Sequence, residues 1–317
     1  MGGAPGRLHV RLAADAASVA GARRFVVDGL SAWGEARFAD AAELVTSELT
    51  SNAALHAGAE FMYVTLERGT TGVWVCVEDD GPLGPDVVQA RTPSPEDDVS
   101  WSELDATGRG LAIVGMVAGR WGVDETARGK QVWAELVDPD DIAPSAQEPN
   151  RAASTEIAPV TEHLPPGWVT VRLAQCPVGL SLQQDRHLDE LVRELQLLSV
   201  GQSSAESAAL AEEISGLLVS PTHARLTGRR AAERARDEGK EVVDVDMAMP
   251  REFSGLIVQL EQAVARADQL CGDGRLLTLA SPPEVQELRA WMTHEIVAQA
   301  THGAAPIPWA EWRRAPG

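Results

Sequence analysis

The chain has 317 residues, enough for two domains with separate cores, and its 27 basic against 47 acidic side chains give a formal net charge of −20. The first 150 residues carry −13 and the remainder −7, so neither half offers the basic surface that binding a phosphate backbone needs, and composition speaks against direct nucleic-acid binding. The acidic surface suits a basic protein partner, and it also keeps a protein in solution. Cys76, Cys176 and Cys271 lie far apart with no Cys-x-x-Cys pair, the usage expected of reduced thiols in a cytoplasmic protein. The opening Met-Gly-Gly-Ala-Pro-Gly lacks a signal-peptide pattern and no apolar run approaches a membrane span, so a soluble chain is expected.

In chain order, Arg7 to Ala13 alternates Leu8, Val10 and Leu12 with polar residues as a half-buried strand does. Asp15 can cap a helix through Val19, Ala22, Phe25, Val26 and Leu30 that ends near Trp33-Gly34. A second helix is predicted from about Asp40 to Ala57, with Ala42, Leu44, Val45, Leu49, Ala53 and Leu55 at helical intervals. Strands follow over Phe61–Arg68 and 71–79, joined by a hairpin through Gly69 and Gly72. Residues 81 to 107 hold Pro82, Pro85, Pro93 and Pro95 with little periodicity and read as a cover over a pocket or as a plain surface loop. Thr107-Gly108-Arg109-Gly110 then opens a helix, and strands over 121–126 and 131–137 flank a turn at Arg128-Gly129. Helices with largely antiparallel strands give an α+β two-layer sandwich for residues 1–138.

Residues 139–166 are rich in Pro, Asp, Ser and Glu and read as a flexible linker. Beyond it, residues 167–317 read as a mostly α-helical domain of unknown role. It opens on a strand from Trp168 to Leu173. Helices follow from about Leu182, over 204–219, 222–238, 253–270 and 283–300, with a short strand at Val242–Val245.

Within the second helix Glu48, Asn52 and His56 fall four apart and share one face. Taken alone, this stripe fits a solvated helix edge as well as a cation site, since a carboxylate and a carboxamide one turn apart suit a hydrated Mg²⁺. Two later stretches add to it. Val73, Val75, Val77 and Asp79 share strand parity, so Asp79 ends an apolar inward row just before Gly81 while Asp80 faces away. The Gly108-Arg109-Gly110 helix start offers backbone N–H groups and the positive dipole end to an anion. Glu-x-x-x-Asn-Ala, then Asp-x-Gly, then Gly-x-Gly-Leu-x-Ile-Val in this order resembles the three sequence boxes of the GHKL ATPase superfamily, closest to its anti-sigma regulatory serine/threonine kinase-like branch, over about residues 8 to 137.

The resemblance implies an ATP- and Mg²⁺-dependent serine/threonine protein kinase acting on a small anti-anti-sigma-like protein, a sigma factor or both, in the cytoplasm, with room for a homodimer. In such a pocket Asp79 would take the adenine amine, with Gly81 letting the backbone close on the base. Gly108, Arg109, Gly110 and Leu111 would form the phosphate end, Asn52 would hold Mg²⁺, and Glu48 would orient or deprotonate the attacking hydroxyl. His56 would approach a phosphate or cap its helix, and Lys130 would be a ligand contact or a charged hairpin residue. After Asp79-x-Gly81 the sequence departs from the family with Pro82-Leu83-Gly84, where a second glycine is often found, which supports a second reading, a non-catalytic module whose nucleotide state controls the helical half. A third is a histidine kinase with His187 as phosphoacceptor, although the helical bundle of such enzymes precedes the ATPase domain.

Overall fold

The computed structural model describes residues 6–56, 58–81, 106–138, 162–200 and 205–314, with side chains at all of these except 56, 106–109, 198–200 and 205–208. Contacts divide the chain into two compact units, Met1–Pro166 and Gly167–Gly317.

The first unit is a five-stranded antiparallel sheet in the order β1-β2-β3-β5-β4, built from β1 (Arg7–Ala13), β2 (Phe61–Arg68), β3 (Gly72–Asp79), β4 (Arg120–Glu125) and β5 (Lys130–Val137). Period-two alternation sets the register. Leu8, Leu66 and Val75 lie side by side across β1, β2 and β3, Val10, Val64 and Val77 form the next row, and Val77 sits opposite Val132 of β5. All of these are buried, and each such side chain taken out of water contributes roughly 1.5–3 kcal/mol.

Helix α1 (Val19–Trp33) lies on this face, with Gly29 brought against Leu8 and Leu66. Its buried residues Ala22, Phe25, Val26, Leu30 and Trp33 follow the helical period. Asp15 accepts the Ala17 N–H at 2.9 Å, capping the short 3₁₀ turn Ala16–Ser18 that precedes the helix, and Gly34 at φ 73° ends the helix in the left-handed region. Helix α2 (Ala39–His56) packs against α1 and β3, and α3 (Ala106–Val117) packs against α2. Residues 162–166, which composition assigns to the linker, begin on the edge of the sheet, where His163 and His9 exchange backbone hydrogen bonds of 2.8 and 3.1 Å.

In the second unit β6 (Trp168–Pro177) pairs antiparallel with β7 (Val242–Pro250), and helices α4 (Val178–Val200), α5 (Ala205–Val219), α6 (Thr222–Asp237), α7 (Phe253–Gly272), α8 (Pro283–His302) and α9 (Trp309–Trp312) make it mostly helical. Strand β7 runs five residues past the short strand expected from sequence. Its alternation is masked because Ala248 and Pro250 are as buried as Val245, Met247 and Met249. The acidic positions of β7 are used on its other side. Asp246 takes both ends of the Arg172 guanidinium at 2.7 Å, and Asp244 accepts the Gln175 N–H at 2.8 Å. One core gathers around Leu173, Met247, Phe253 and Trp291, and a second around Leu191, Ile214 and Val264. Among the described residues no helix is long and apolar enough to cross a membrane.

Candidate nucleotide site

Helix α2 buries Val45, Leu49 and Ala53 and leaves Glu48 and Asn52 half-buried along its edge. Helix α3 crosses that edge at Gly110. A β-carbon placed there would stand 2.6 Å from Glu48 Oε2 and 3.6 Å from both side-chain amide atoms of Asn52. The glycine therefore leaves a recess beside two oxygen-bearing side chains, which suits a hard cation and the anion it accompanies. The helix begins at Ala106, earlier than the glycine pair suggests, so Gly108 lies in its first turn, where backbone N–H groups have no partner further back, and Gly110 is already its fifth residue. Leu111 is 5% exposed and is part of the core. The side chains of His56 and Arg109 and the Pro82-Leu83-Gly84 departure lie outside the described residues.

Asp79 closes the inward row of β3 and is 2% exposed. Its Oδ1 accepts the Gly81 N–H at 3.0 Å and the Lys130 ammonium at 3.0 Å. Asp80 turns the other way and accepts the Glu60 N–H at 3.2 Å, as the pleat requires. Burial pushes the Asp79 carboxyl above the usual carboxylate range, against the opposing pull of Lys130 and the Gly81 amide. The turn before Lys130 is pressed onto this spot, because a β-carbon on Gly129 would lie 2.5 Å from the Asp79 carbonyl oxygen and 2.7 Å from that of Gly81.

Lys130 is thus not an exposed hairpin charge. It is the first residue of β5, directly across from Asp79 in the register and 7% exposed. Its parity with Val132, Ala134 and Leu136 carried that signal, since all four must face the helix-covered side. Replacing Lys130 with methionine strands the Asp79 carboxylate in the core, and the expected loss is about 3–5 kcal/mol at neutral pH. Protonation of Asp79 removes the stranded charge, so the deficit against wild type should shrink as pH falls through the raised carboxyl pKa. Urea unfolding at several pH values reads this directly, and a deficit independent of pH would mean that Asp79 is not the unpaired group.

His187 lies in the second unit with its side chain 9% exposed and its Nε2 3.0 Å from Asp268 Oδ1. A ring held this way has a structural partner and no open face for phosphoryl transfer, which argues against the histidine-kinase reading. Among the described residues no group of three or more His, Cys, Asp or Glu side chains is placed to hold a metal. A Mg²⁺ that keeps its waters and takes few protein ligands does not require one.

Comparison with curated proteins gives no match. Residues 12–136 match the family model for the histidine kinase-like ATPase domain, a span that begins at the end of β1, stops within β5 and takes in β2, β3 and β4 with α1 to α3. Over this span the first unit is similar to the histidine kinase-like ATPase domain.

Proposed function

We propose that the chain is an ATP-dependent serine/threonine protein kinase of the anti-sigma regulatory type. Its acceptor would be a small anti-anti-sigma-like protein, and a sigma factor is a second candidate partner. The observation that carries this reading is the seating of Gly110 against Glu48 and Asn52, which gathers a carboxylate, a carboxamide and a helix N-terminus at one place.

Each residue then has a physical task. Asp79 presents a buried carboxylate to the adenine amine through Oδ2, since both of its protein contacts use Oδ1. The N–H groups at the start of α3 face the phosphates. Asn52 holds Mg²⁺, which when bound neutralises phosphate charge. Glu48 accepts the proton of the attacking hydroxyl. Phosphoryl transfer is mainly a matter of positioning and charge stabilisation, so this small set is sufficient.

The test joins calorimetry with transfer from γ-labelled ATP to candidate partner proteins. ATP with Mg²⁺ should bind both the wild-type chain and Glu48→Gln, while transfer should fall at least about a hundredfold in the variant. Transfer equal in the two would remove Glu48 from the chemistry. Binding without transfer in either protein would replace the kinase with the non-catalytic module.

A further inference from the structure

The five-stranded sheet ends on β1 at one side and on β4 at the other. Beside β1 the chain lays His163 against His9, whereas no described residue does the same for β4. The bond from the Thr126 N–H to the Gly129 carbonyl, at the turn into β5, fixes which way the β4 backbone points. In an antiparallel pair such bonds recur at every second residue, so the main-chain groups of Asp124, Gly122 and Arg120 face Gln131, Trp133 and Glu135 of β5. The N–H and C=O groups of Trp121, Val123 and Glu125 therefore point away from the sheet, and among the described residues nothing bonds them. A strand left open in this way accepts another strand by main-chain hydrogen bonding.

The side chains on the two faces of β4 select the partner. Arg120 and Asp124 share the face away from the helices, with Gly122 between them so close under Trp133 that a β-carbon would stand 2.6 Å from the indole. Glu135 accepts the Arg120 Nε–H at 2.7 Å, and the guanidinium lies over Trp74, 5.6 Å from the ring centroid. The two terminal nitrogens of Arg120 are thus held in place and have no acceptor among the described residues, while its side chain is 45% exposed. Asp124 stands opposite Gln131 and has no cation beside it among the described residues. The helix-covered face carries Trp121 and Val123, both only partly buried. Met116 of α3, next to the Gly115 that sits against Trp121, is 65% exposed.

A second β4 laid antiparallel, with the two-fold axis at Gly122, satisfies both faces. Arg120 then stands opposite Asp124 of the second copy, in a non-hydrogen-bonded pair where side chains come closest. Trp121 stands opposite Val123 of the second copy, and these two residues exchange main-chain bonds through their open groups. The direction of those groups allows the register to move only by two residues. One such step sets Trp121 against Glu125 and Arg120 against Thr126, and the opposite step sets Arg120 against Gly122, so either loses the charge pair.

We propose that β4 is a homodimer interface, in which two copies of the chain join β4 to β4 about a two-fold axis at Gly122 and make one continuous antiparallel sheet. The same patch meets itself, so assembly closes at two copies. The interface does not depend on the kinase reading.

Sedimentation equilibrium of the full chain over about 1 µM to 1 mM should show a monomer–dimer equilibrium and nothing larger. Val123→Pro removes an N–H that only the second copy would use, and proline is tolerated in a strand where that N–H faces solvent. The variant should unfold at the wild-type temperature yet dissociate at least about tenfold more readily. Asp124→Arg sets two arginines against each other on both sides of the axis, with a loss of at least about tenfold, and it decides the question should the proline variant fail to fold. A chain that stays monomeric throughout, assembly that continues past the dimer, or a dimer undiminished in either folded variant would each overturn the proposal.

Discussion

Under the kinase proposal, Gly110→Ala is expected to lower nucleotide-dependent transfer about a hundredfold while leaving the protein as stable as wild type or more so. The added methyl falls 2.6 Å from Glu48 Oε2, which is the free end of a side chain able to rotate away. The clash is therefore relieved by moving the carboxylate, and the backbone of α2 and α3 need not shift. Alanine also removes a helix-interior glycine, which is worth up to about 1 kcal/mol of helix stability. Stability and activity should move in opposite directions, a combination that a merely structural glycine does not give. Thermal unfolding with the transfer assay decides it, and unimpaired transfer at unchanged stability would mean that the recess beside Glu48 is not where the reaction occurs.

Asp268→Asn should cost about 3–5 kcal/mol of the stability of the second unit, the largest single loss expected there. Asp268 ties three helices and a loop together. Its Oδ1 meets His187 Nε2 on α4 at 3.0 Å and the Ser281 N–H at 2.9 Å, and its Oδ2 takes Arg289 Nη1 on α8 at 3.0 Å. Arg289 in turn donates to Ser281 Oγ at 2.6 Å and to Gln184 Oε1 at 3.1 Å. Asparagine keeps the shape but leaves the Arg289 guanidinium, 9% exposed, without its counter-charge.

The wild-type carboxylate also has a pH signature. Burial pushes its pKa up, but His187, the Ser281 amide and Arg289 outweigh that and hold it at about 2. A carboxyl whose folded pKa is depressed contributes stability in full above its unfolded value of about 3.9, and the contribution is lost as pH falls toward the folded value. The wild type should therefore lose about 2–3 kcal/mol between roughly pH 5 and pH 2 through this group, and the asparagine variant should be flat in that respect. Denaturant unfolding across that range makes the comparison, and parallel acid limbs for the two proteins would remove Asp268 from the account.

Much of the first unit can be read from the chain because its signals are local. The alternation of Leu8, Val10 and Leu12 and of Val73, Val75 and Val77 specifies which sheet face is buried, and the same parity places Asp79 inward and Asp80 outward. Four-residue spacing puts Glu48 and Asn52 on one helix edge. What the sequence does not display is the partner across space. Lys130 meets Asp79 only once the register of β3 with β5 is set, and that register joins residues 51 positions apart. The Asp268 cluster is hidden for the same reason, since His187, Asp268 and Arg289 come from three separate helices. In β7 the buried Ala248 and Pro250 disguise a period-two pattern, so the strand reads as half its length.

The exchange between His163 and His9 has a consequence for where the first unit ends. Strand β1 is an outer strand of its sheet, and outer strands offer a row of free amides and carbonyls to any passing chain. The returning segment occupies His9 in both directions, and Glu162 lies 3.4 Å from the Arg11 amide. A fragment cut after Val137 would contain every strand of the sheet yet carry this rim bare, inviting rim-to-rim polymerisation. The self-sufficient piece is the one that runs on to Pro166.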